Sequence, residues 1–276
     1  MNLMSALSLP VAPLHQRAEG EIDIVLRPSN GRTRLVRFYQ QGCLKARCLQ
    51  IGAEVEIVSI NISGGIAGGD VISTGFQVGS GGRAVFTTQA AERIYRSHGD
   101  KARVKTCLKV ERGAYLAYLP QETILFDGFA LDRALEIDLA EGAICVGVES
   151  IVFGRMAMGE TLKSGYLHDR ISVRREGRLI WRDSAKVEGD FSTQFGWAGI
   201  GGQARAVASM FAAGLDIAAI FPRLKDVLAG HAAGLSVQDN MVVLRLLATD
   251  MAALRRVVTA VLAILRDGAL PRVWQS

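Results

Sequence analysis

The sequence predicts a mainly β protein, built of stacked or rolled and mostly antiparallel sheets, with a small α/β part at its C-terminal end that carries about two helices. From residue 21 to about residue 182, apolar residues recur at every second position, which is the spacing of a strand with one buried face. Glycine-rich turn sequences interrupt this pattern repeatedly. Beyond Gly214 the spacing changes to that of amphipathic helices.

The alternation is clearest in three segments, whose alternating residues are expected to face a core. They are Ile22, Ile24 and Leu26; Val104, Thr106, Leu108 and Val110; and Leu135, Ile137 and Leu139. The turn sequences that separate the strands are Pro28–Gly31, Gly79–Gly82, Glu111–Gly113 and Glu176–Gly177. Because short turns of this type typically join neighbouring antiparallel strands, they favour antiparallel sheets.

Two helices are predicted in the C-terminal part, over Asp216–Ala229 and Asp250–Asp267. Each begins with an aspartate, which is suited to cap a helix N-terminus, and Gly268 is suited to end the second helix. The second helix carries one apolar stripe, made of Leu254, Val257, Val258, Val261, Leu262 and Leu265. A strand over Met241–Leu247 is expected to help cover that stripe.

The sequence indicates that the chain forms one structural unit. No linker rich in proline or serine and no internal repeat divides it. We therefore expect a single domain over residues 21–276, with a β-rich part over 21–213 and an α/β part over 214–276. Residues 1–20 are expected to form a flexible N-terminal arm.

Composition limits the functional classes. With 49% hydrophobic and 21% charged residues and a mean hydropathy of +0.22, the chain is typical of a globular protein with a substantial core. Its 32 basic residues are interspersed with 27 acidic ones, so the net charge of +5 gives little support for nucleic-acid binding.

The sequence favours a cytoplasmic location. The first residues lack the basic leader of a secretory signal. The longest apolar stretch, Met251–Leu265, contains Arg255 and Arg256 and is shorter than the roughly 20 residues that span a bilayer. The four cysteines form no C-x-x-C pair, and Cys107 and Cys145 are expected to be buried free thiols, which suits a reducing compartment.

The sequence contains none of the common catalytic motifs. The segment Gly64–Asp70 is rich in glycine but lacks the lysine of a phosphate-binding loop, so the chain is not expected to hydrolyse GTP. Residues 199–204 fit G-x-G-x-x-A, but no hydrophobic strand precedes them, and dinucleotide binding is not favoured. The sequence also has no nucleophile elbow and no H-x-x-x-H pair.

Five carboxylates lie in or beside apolar and glycine-rich stretches: Asp70, Glu122, Asp127, Glu149 and Glu160. Burial of such groups is costly unless they are paired. One interpretation is structural: the carboxylates accept backbone N–H bonds at turns or pair with arginines. The arginines considered for this pairing are Arg93, Arg96, Arg133 and Arg155. The other interpretation is a hydrated passage whose oxygen ligands hold a divalent ion loosely enough to release it.

A different class of function stays open: a β-rich hydrolase that uses two of these carboxylates as general acid and base, for example on a glycoside. Such an enzyme requires a deep cleft with two facing carboxyl groups. The three tryptophans and five tyrosines provide few aromatic platforms for a sugar, which counts against this alternative.

Three blocks of the sequence resemble the UreD family of urease accessory proteins, also called UreH. They are Gly64–Asp70, Phe86–Ser97 and Leu119–Gly128. Further similarity occurs, in the order of the family, at Gly154–Glu160, Arg170–Gly189 and Pro271–Trp274. The resemblance therefore spans most of the chain.

The resemblance implies a largely β scaffold without catalytic residues and without a permanently bound cofactor. It implies binding to UreF, which recruits the GTPase UreG, and engagement of apo-urease by this assembly; a dimer within the complex stays open. It further implies that nickel passes through an internal, water-filled tunnel toward the urease active site. Carried over by position, Asp70, Glu122, Asp127, Glu149 and Glu160 become candidates to line that tunnel and to contact nickel in transit.

Overall fold

The structure is a computed structural model that describes residues 16–155, 158–266 and 268–275. In this part of the chain the backbone forms seventeen strands, three α-helices and a short 3-10 turn at Arg272–Trp274. The strands are β1 (Glu19–Ser29), β2 (Arg32–Gly42), β3 (Leu44–Ile51), β4 (Glu54–Asn61), β5 (Val71–Val78), β6 (Arg83–Thr88), β7 (Glu92–Ile94), β8 (Ala102–Val110), β9 (Tyr115–Leu119), β10 (Thr123–Leu125), β11 (Phe129–Leu139), β12 (Ile144–Phe153), β13 (Ser164–Arg175), β14 (Arg178–Asp190), β15 (Ala206–Ala213), β16 (Ala233–Gln238) and β17 (Met241–Ala248). The helices are α1 (Phe191–Phe195), α2 (Ile217–Leu228) and α3 (Met251–Leu265).

The strands form two stacked sheets. The seven-stranded sheet has the order β14-β13-β11-β8-β5-β1-β2. The main path of the ten-stranded sheet is β16-β17-β15-β12-β9-β6-β4-β3, and β7 and β10 pair beside it. The predicted mainly β class, with helices in the C-terminal part, is confirmed.

The period-two pattern in the sequence places the core between the two sheets. Ile22, Ile24 and Leu26 on β1 are fully buried there, and Leu108 on β8 and Leu135 on β11 are at most 2% exposed. The intervening residues of these strands face outward, as expected for a strand with one buried side. The alternation in the sequence therefore identified the inner faces correctly.

The strand direction differs from the prediction. Nine of the fifteen strand pairings are parallel, including every pairing among β5, β8, β11 and β13. The turns Pro28–Gly31 and Glu176–Gly177 are true hairpins, whereas Gly79–Gly82 and Glu111–Gly113 lead the chain from one sheet to the other. A chain that crosses between sheets at each turn returns to the first sheet in its original direction, so the prediction of mostly antiparallel sheets was wrong.

The two predicted helices are present, with the predicted caps at their N-termini. The side chain of Asp216 accepts from the Ala219 N–H, and that of Asp250 accepts from the Ala253 N–H at 2.7 Å. The second helix ends at Leu265, before Gly268, and Asp267 lies outside the described residues.

The helices α2 and α3 cover the outer face of the ten-stranded sheet and form a second apolar core with it. All six predicted stripe residues of α3 belong to this core or pack against it. Trp274 closes one end, where its indole N–H donates to the Leu119 carbonyl at 3.0 Å. The strand β17 lies beneath α3, as predicted.

The short helix α1 was not predicted. Its N-cap is Asp190, and its residues Phe191 and Phe195 stack with ring centroids 5.5 Å apart. Both rings also contact Phe153, and Phe191 contacts Phe129. The helix therefore packs over the ends of β11 and β12.

One of the two cysteines that were expected to be buried is exposed. Cys145 is buried as expected, but Cys107 is exposed, because Thr106 and Leu108 occupy the inner face of β8 and Cys107 falls on the outer one. The first described strand begins at Glu19, while residues 1–15 of the predicted N-terminal arm lie outside the described residues.

In the described part of the chain, none of the helices has the length and apolar content needed to cross a bilayer.

The close packing of β12 on β15 generates a prediction. A Cβ atom added to Gly147 would lie 2.0 Å from the ring of Phe211, its neighbour on β15. We expect Gly147→Ala to lower the free energy of unfolding by about 1–3 kcal/mol, as overpacked core substitutions do. Urea denaturation measures the difference.

The matched control is Gly234→Ala on β16, where an added Cβ has open space. That variant should be neutral or gain up to about 1 kcal/mol, because alanine restricts the unfolded chain. Equal denaturation midpoints for the two variants would contradict the packing described here.

Candidate functional site

A cluster of charged side chains lies inside the apolar core, between the two sheets. Arg133 on β11 donates from Nη1 to Glu149 Oε2 on β12 at 2.6 Å. It also forms a two-point contact with Asp169 on β13, with distances of 2.8 and 2.7 Å. The Tyr118 hydroxyl donates to the second oxygen of Glu149 at 3.1 Å. Each charged group of the cluster is therefore paired.

The cluster has defined electrostatics. Burial opposes the charge of Arg133, but Asp169 and Glu149 more than offset it and raise the pKa of its guanidinium. Burial raises the pKa of Glu149, and Arg133 partly counters that effect. Removing one partner of such a buried pair typically costs about 3–5 kcal/mol, because the remaining charge has no compensation.

A cavity of about 90 Å³ lies beside this cluster. Its walls combine core residues with polar side chains, among them Thr74, Thr106 and Thr123, and the carboxylates Glu149 and Glu92. A cavity of this volume with polar walls has room for several water molecules. At this point the interior therefore presents charged and hydroxyl groups beside apolar side chains.

Glu92 connects the interior cavity with the surface. A second pocket of about 180 Å³, lined by residues 88–93 and by Asn61 and Gly64, shares Leu44, Ser59, Thr88 and Glu92 with the interior cavity. The Asn61 side chain donates to Glu92 Oε2 at 3.1 Å. Burial raises the pKa of Glu92, and the hydrogen bond from Asn61 partly offsets that increase.

Asp70 has a structural position in the glycine-rich segment. One oxygen accepts from the Ala18 N–H and the other from the Ala67 N–H, both at 2.8 Å. The carboxylate therefore ties the segment before β1 to the loop before β5. Asp70 does not line the interior cavity.

Asp127 and Glu160 lie together at the end of the sandwich. Asp127 accepts from the backbone of Lys163 at 2.7 Å and from Arg96 at 2.7 Å. Glu160 accepts from both the backbone and the guanidinium of Arg155, and from the Asp127 N–H at 3.3 Å. The contact with Arg155 lowers the pKa of Glu160. For Asp127, burial acts to raise the pKa, but its backbone donors and Arg96 bring it below its usual value.

Glu122 lies on the other side of the ten-stranded sheet, near the C-terminus. Its carboxylate is 3.4 Å from Nη1 of Arg255 on α3, and the Arg255 guanidinium stacks on the ring of Trp274. This contact links the residue before β10 to the helical layer.

The structure therefore brings together only part of the predicted set. Among the five candidates, Glu149 lines the interior cavity, Asp127 and Glu160 contact each other, and Asp70 and Glu122 stand apart. In the described residues no group of three or more His, Cys, Asp or Glu side chains is arranged to hold a metal ion.

Glu92 and Asp169 were not among the candidates from the sequence. Asp169 has a detectable signal, because it follows Leu167 and precedes Ile171 at inward positions of one strand. Arg133, between Leu131 and Leu135, has the same signal. Glu92 lies in a three-residue strand, which is too short for any periodicity to show which face it occupies.

Comparisons with known proteins decide the family. The family model for the UreD urease accessory protein matches residues 18–275. The chain belongs to the UreD family. The match includes all of the cavity-lining strands.

Curated relatives agree with this assignment. A urease accessory protein UreD from Chelativorans sp. (strain BNC1) is 42% identical over 267 residues, which cover 95% of each chain. The UreD of Rhizobium leguminosarum bv. trifolii (strain WSM2304) is 41% identical over 94% of this chain and 96% of its own. The UreD of Methylobacterium sp. (strain 4-46) is 38% identical over 99% of this chain and 100% of its own. The chain therefore has an accessory, non-enzymatic role in urease maturation.

The raised pKa of Glu92 gives a pH-dependent prediction. In the folded state the protonated form is favoured, so stability falls as pH rises from about 4.5, the ordinary carboxyl value, through the higher folded-state pKa. Glu92→Gln keeps an acceptor for Asn61 but removes this effect. We expect the variant to gain melting temperature relative to the parent protein as pH increases, in thermal scans between pH 4.5 and 8.

The control for that measurement is Glu188→Gln on the edge strand β14, where the glutamate is exposed. An exposed carboxylate keeps its hydration on folding, so the difference from the parent protein should stay flat across the same pH range. A flat difference for Glu92→Gln as well would show that the carboxylate is hydrated, contrary to the geometry.

Proposed function

We propose that this chain is a cytoplasmic scaffold in urease maturation that binds UreF and apo-urease, receives UreG through UreF, and passes nickel through the polar interior between its sheets. The single observation that carries the proposal is a cavity between the sheets whose wall includes carboxylate and hydroxyl groups, with Glu92 placed where the cavity meets a surface pocket.

The chemistry of the cavity wall suits a cargo ion in transit. Carboxylates and threonine hydroxyls are hard oxygen donors, and they bind divalent ions less firmly than a cage of thiolates and imidazoles. Glu149 already accepts from Arg133 and Tyr118, so its capacity for a metal ion is reduced. A wall of this kind favours brief contacts over stable binding.

Partner binding is supported by exposed apolar side chains near α1. Trp197 and Ile200, in the loop that follows this helix, are 62% and 50% exposed. Exposed aromatic and large apolar residues are typical of protein interfaces. This loop is therefore a candidate contact surface for an accessory partner or for urease.

The hydrolase alternative has less support. Small-molecule sites usually enclose about 300–1,000 Å³, and the interior cavity, at about 90 Å³, is below that range. Glu149 is also held in an ion pair by Arg133, which separates it from Asp169.

Coexpression tests the scaffold. The tagged chain should copurify with UreF, and with UreG only when UreF is present, because the proposal connects UreG through UreF. The loop variant Trp197→Ala should weaken capture of at least one partner by about tenfold, the scale of an aromatic interface anchor worth about 1.4 kcal/mol or more. If the parent chain captures none of the three partners, the proposal fails.

Nickel content of urease tests the passage. Glu92→Gln and Glu149→Gln each remove a charged oxygen ligand from the cavity wall. We expect a roughly tenfold slower incorporation of nickel, with assembly of the accessory complex unchanged for Glu92→Gln. Because Glu149 is paired with Arg133, the Glu149→Gln variant is compared with the parent protein at equal amounts of assembled complex. Urease activity and metal content after coexpression are the readouts.

The matched control is Glu136→Gln, which removes an exposed glutamate from the outer face of the seven-stranded sheet. That variant should give the nickel content of the parent protein. Incorporation that is normal in both cavity variants would exclude this route.

The remaining candidates are tested by the same measurement. Asp70→Asn and Glu160→Gln remove charge from carboxylates that accept backbone N–H bonds. Normal nickel content with intact assembly would remove Asp70 and Glu160 from the passage without affecting the proposal for Glu92 and Glu149.

A further inference from the structure

The strand β2 is an unprotected sheet edge. It is the last strand of the seven-stranded sheet and spans 11 residues, of which only Thr33 is buried. The Thr33 N–H donates to the Ala53 carbonyl. Within the described part of the chain, no other backbone group of β2 has a backbone partner outside the ladder to β1. An edge of this length presents a row of unpaired N–H and C=O groups, which readily pair with another strand.

Apolar side chains are concentrated around the same edge. Six of the thirteen large apolar side chains that are exposed in the described residues lie on β2 and the adjoining strand β3. They are Leu35, Val36, Phe38, Tyr39, Leu49 and Ile51, with exposures between 38% and 61%. Isolated exposed apolar residues are ordinary, but a group of this size along a sheet edge is typical of an interaction surface.

The charges on the two strands have a single sign. Residues 32–51, which we call the basic edge, contain five cations and no acidic residue: Arg32, Arg34, Arg37, Lys45 and Arg47. Only Arg37 has an acidic partner among the ion pairs of the described residues, namely Asp23 at 2.9 Å on β1. The basic edge therefore carries the full +5 of the chain's net charge within twenty residues.

We propose that the basic edge docks an extended acidic segment of a partner protein, which adds a strand to β2. The partner backbone would satisfy the free edge of β2, its apolar side chains would cover Leu35 and Phe38, and its carboxylates would face Arg32 and Arg34. Addition of a strand gives affinity through backbone hydrogen bonds and specificity through alternate side chains. The nickel passage plays no part in this inference.

Charge also disfavours a second copy of the chain as the occupant. Two antiparallel β2 strands would bring six arginines into adjacent strands without any acidic side chain, and like charges on neighbouring strands are destabilising. An acidic strand reverses the sign of each of these contacts. The surface thus selects a different protein over self-association.

The test uses the full chain and a blocked synthetic peptide of about eight residues that alternates valine and glutamate, the length of an ordinary strand. We expect binding that weakens with added salt, together with slowed exchange of those amides of residues 34–39 that are not bonded to β1. Arg32→Glu combined with Arg34→Glu should weaken binding by at least about tenfold, because two attractive contacts become repulsive.

Two controls separate strand addition from general attraction. Arg182→Glu combined with Lys186→Glu makes the same charge change on β14, the opposite edge of the same sheet, and should leave binding unchanged. The peptide with N-methylated amides keeps its charge but loses its donors, and it should not protect residues 34–39.

Several outcomes would overturn the proposal. They are absence of peptide binding at millimolar concentration, equal binding of the N-methylated peptide, and equal effects of the two charge reversals. Protection in the free chain of those amides of residues 34–39 that are not bonded to β1 would also overturn it, because a segment of the chain itself or a second copy would then occupy the edge. Dimerisation that disappears in the Arg32 and Arg34 variant would identify that second copy.

Discussion

The interior of this protein depends on one guanidinium that is paired with two carboxylates. Arg133 lies inside the core and contacts Glu149 on the opposite sheet and Asp169 on the neighbouring strand. Without that cation, two acidic groups would be buried without compensation, which proteins tolerate poorly. With it, the sheets can enclose polar groups and a cavity at a point where an apolar core would otherwise close. The ionic contact thus keeps the space between the sheets open and connects the two layers.

Around this centre the carboxylates differ in what they do. Asp70, Asp127 and Glu160 accept backbone N–H bonds and fix loops, a role that the sequence had already offered as one interpretation. Glu92 and Glu149 face the cavity, so among the carboxylates that the structure describes these two combine acidic character with access to the interior. The proposed passage of nickel therefore concerns two residues on different strands, whereas the family resemblance by position suggested five.

The sequence predicted what depends on local spacing and failed where distant strands decide. Periodicity located the inner faces of β1, β8 and β11, because alternate residues of a strand lie on the same face. It also located both long helices, because their apolar residues recur every three to four positions. Strand direction was mispredicted, since Gly79–Gly82 has the composition of a hairpin turn but joins two sheets. Sequence motifs were enough to identify the family. The position of Glu92 at a pocket junction depends on the packing of β4, β6 and β7, and the residues next to Glu92 in the sequence do not indicate it.

The alternation of the chain between sheets has a consequence for how such a molecule can change. From β5 to β13, each passage through both sheets lays new parallel strands on the preceding ones, as in a solenoid. In arrays of this kind a unit interacts mainly with its neighbours, so one winding can be gained or lost without rebuilding the others. The length of the sandwich is then set by how many windings are present, whereas the local opening beside Arg133 depends on individual side chains.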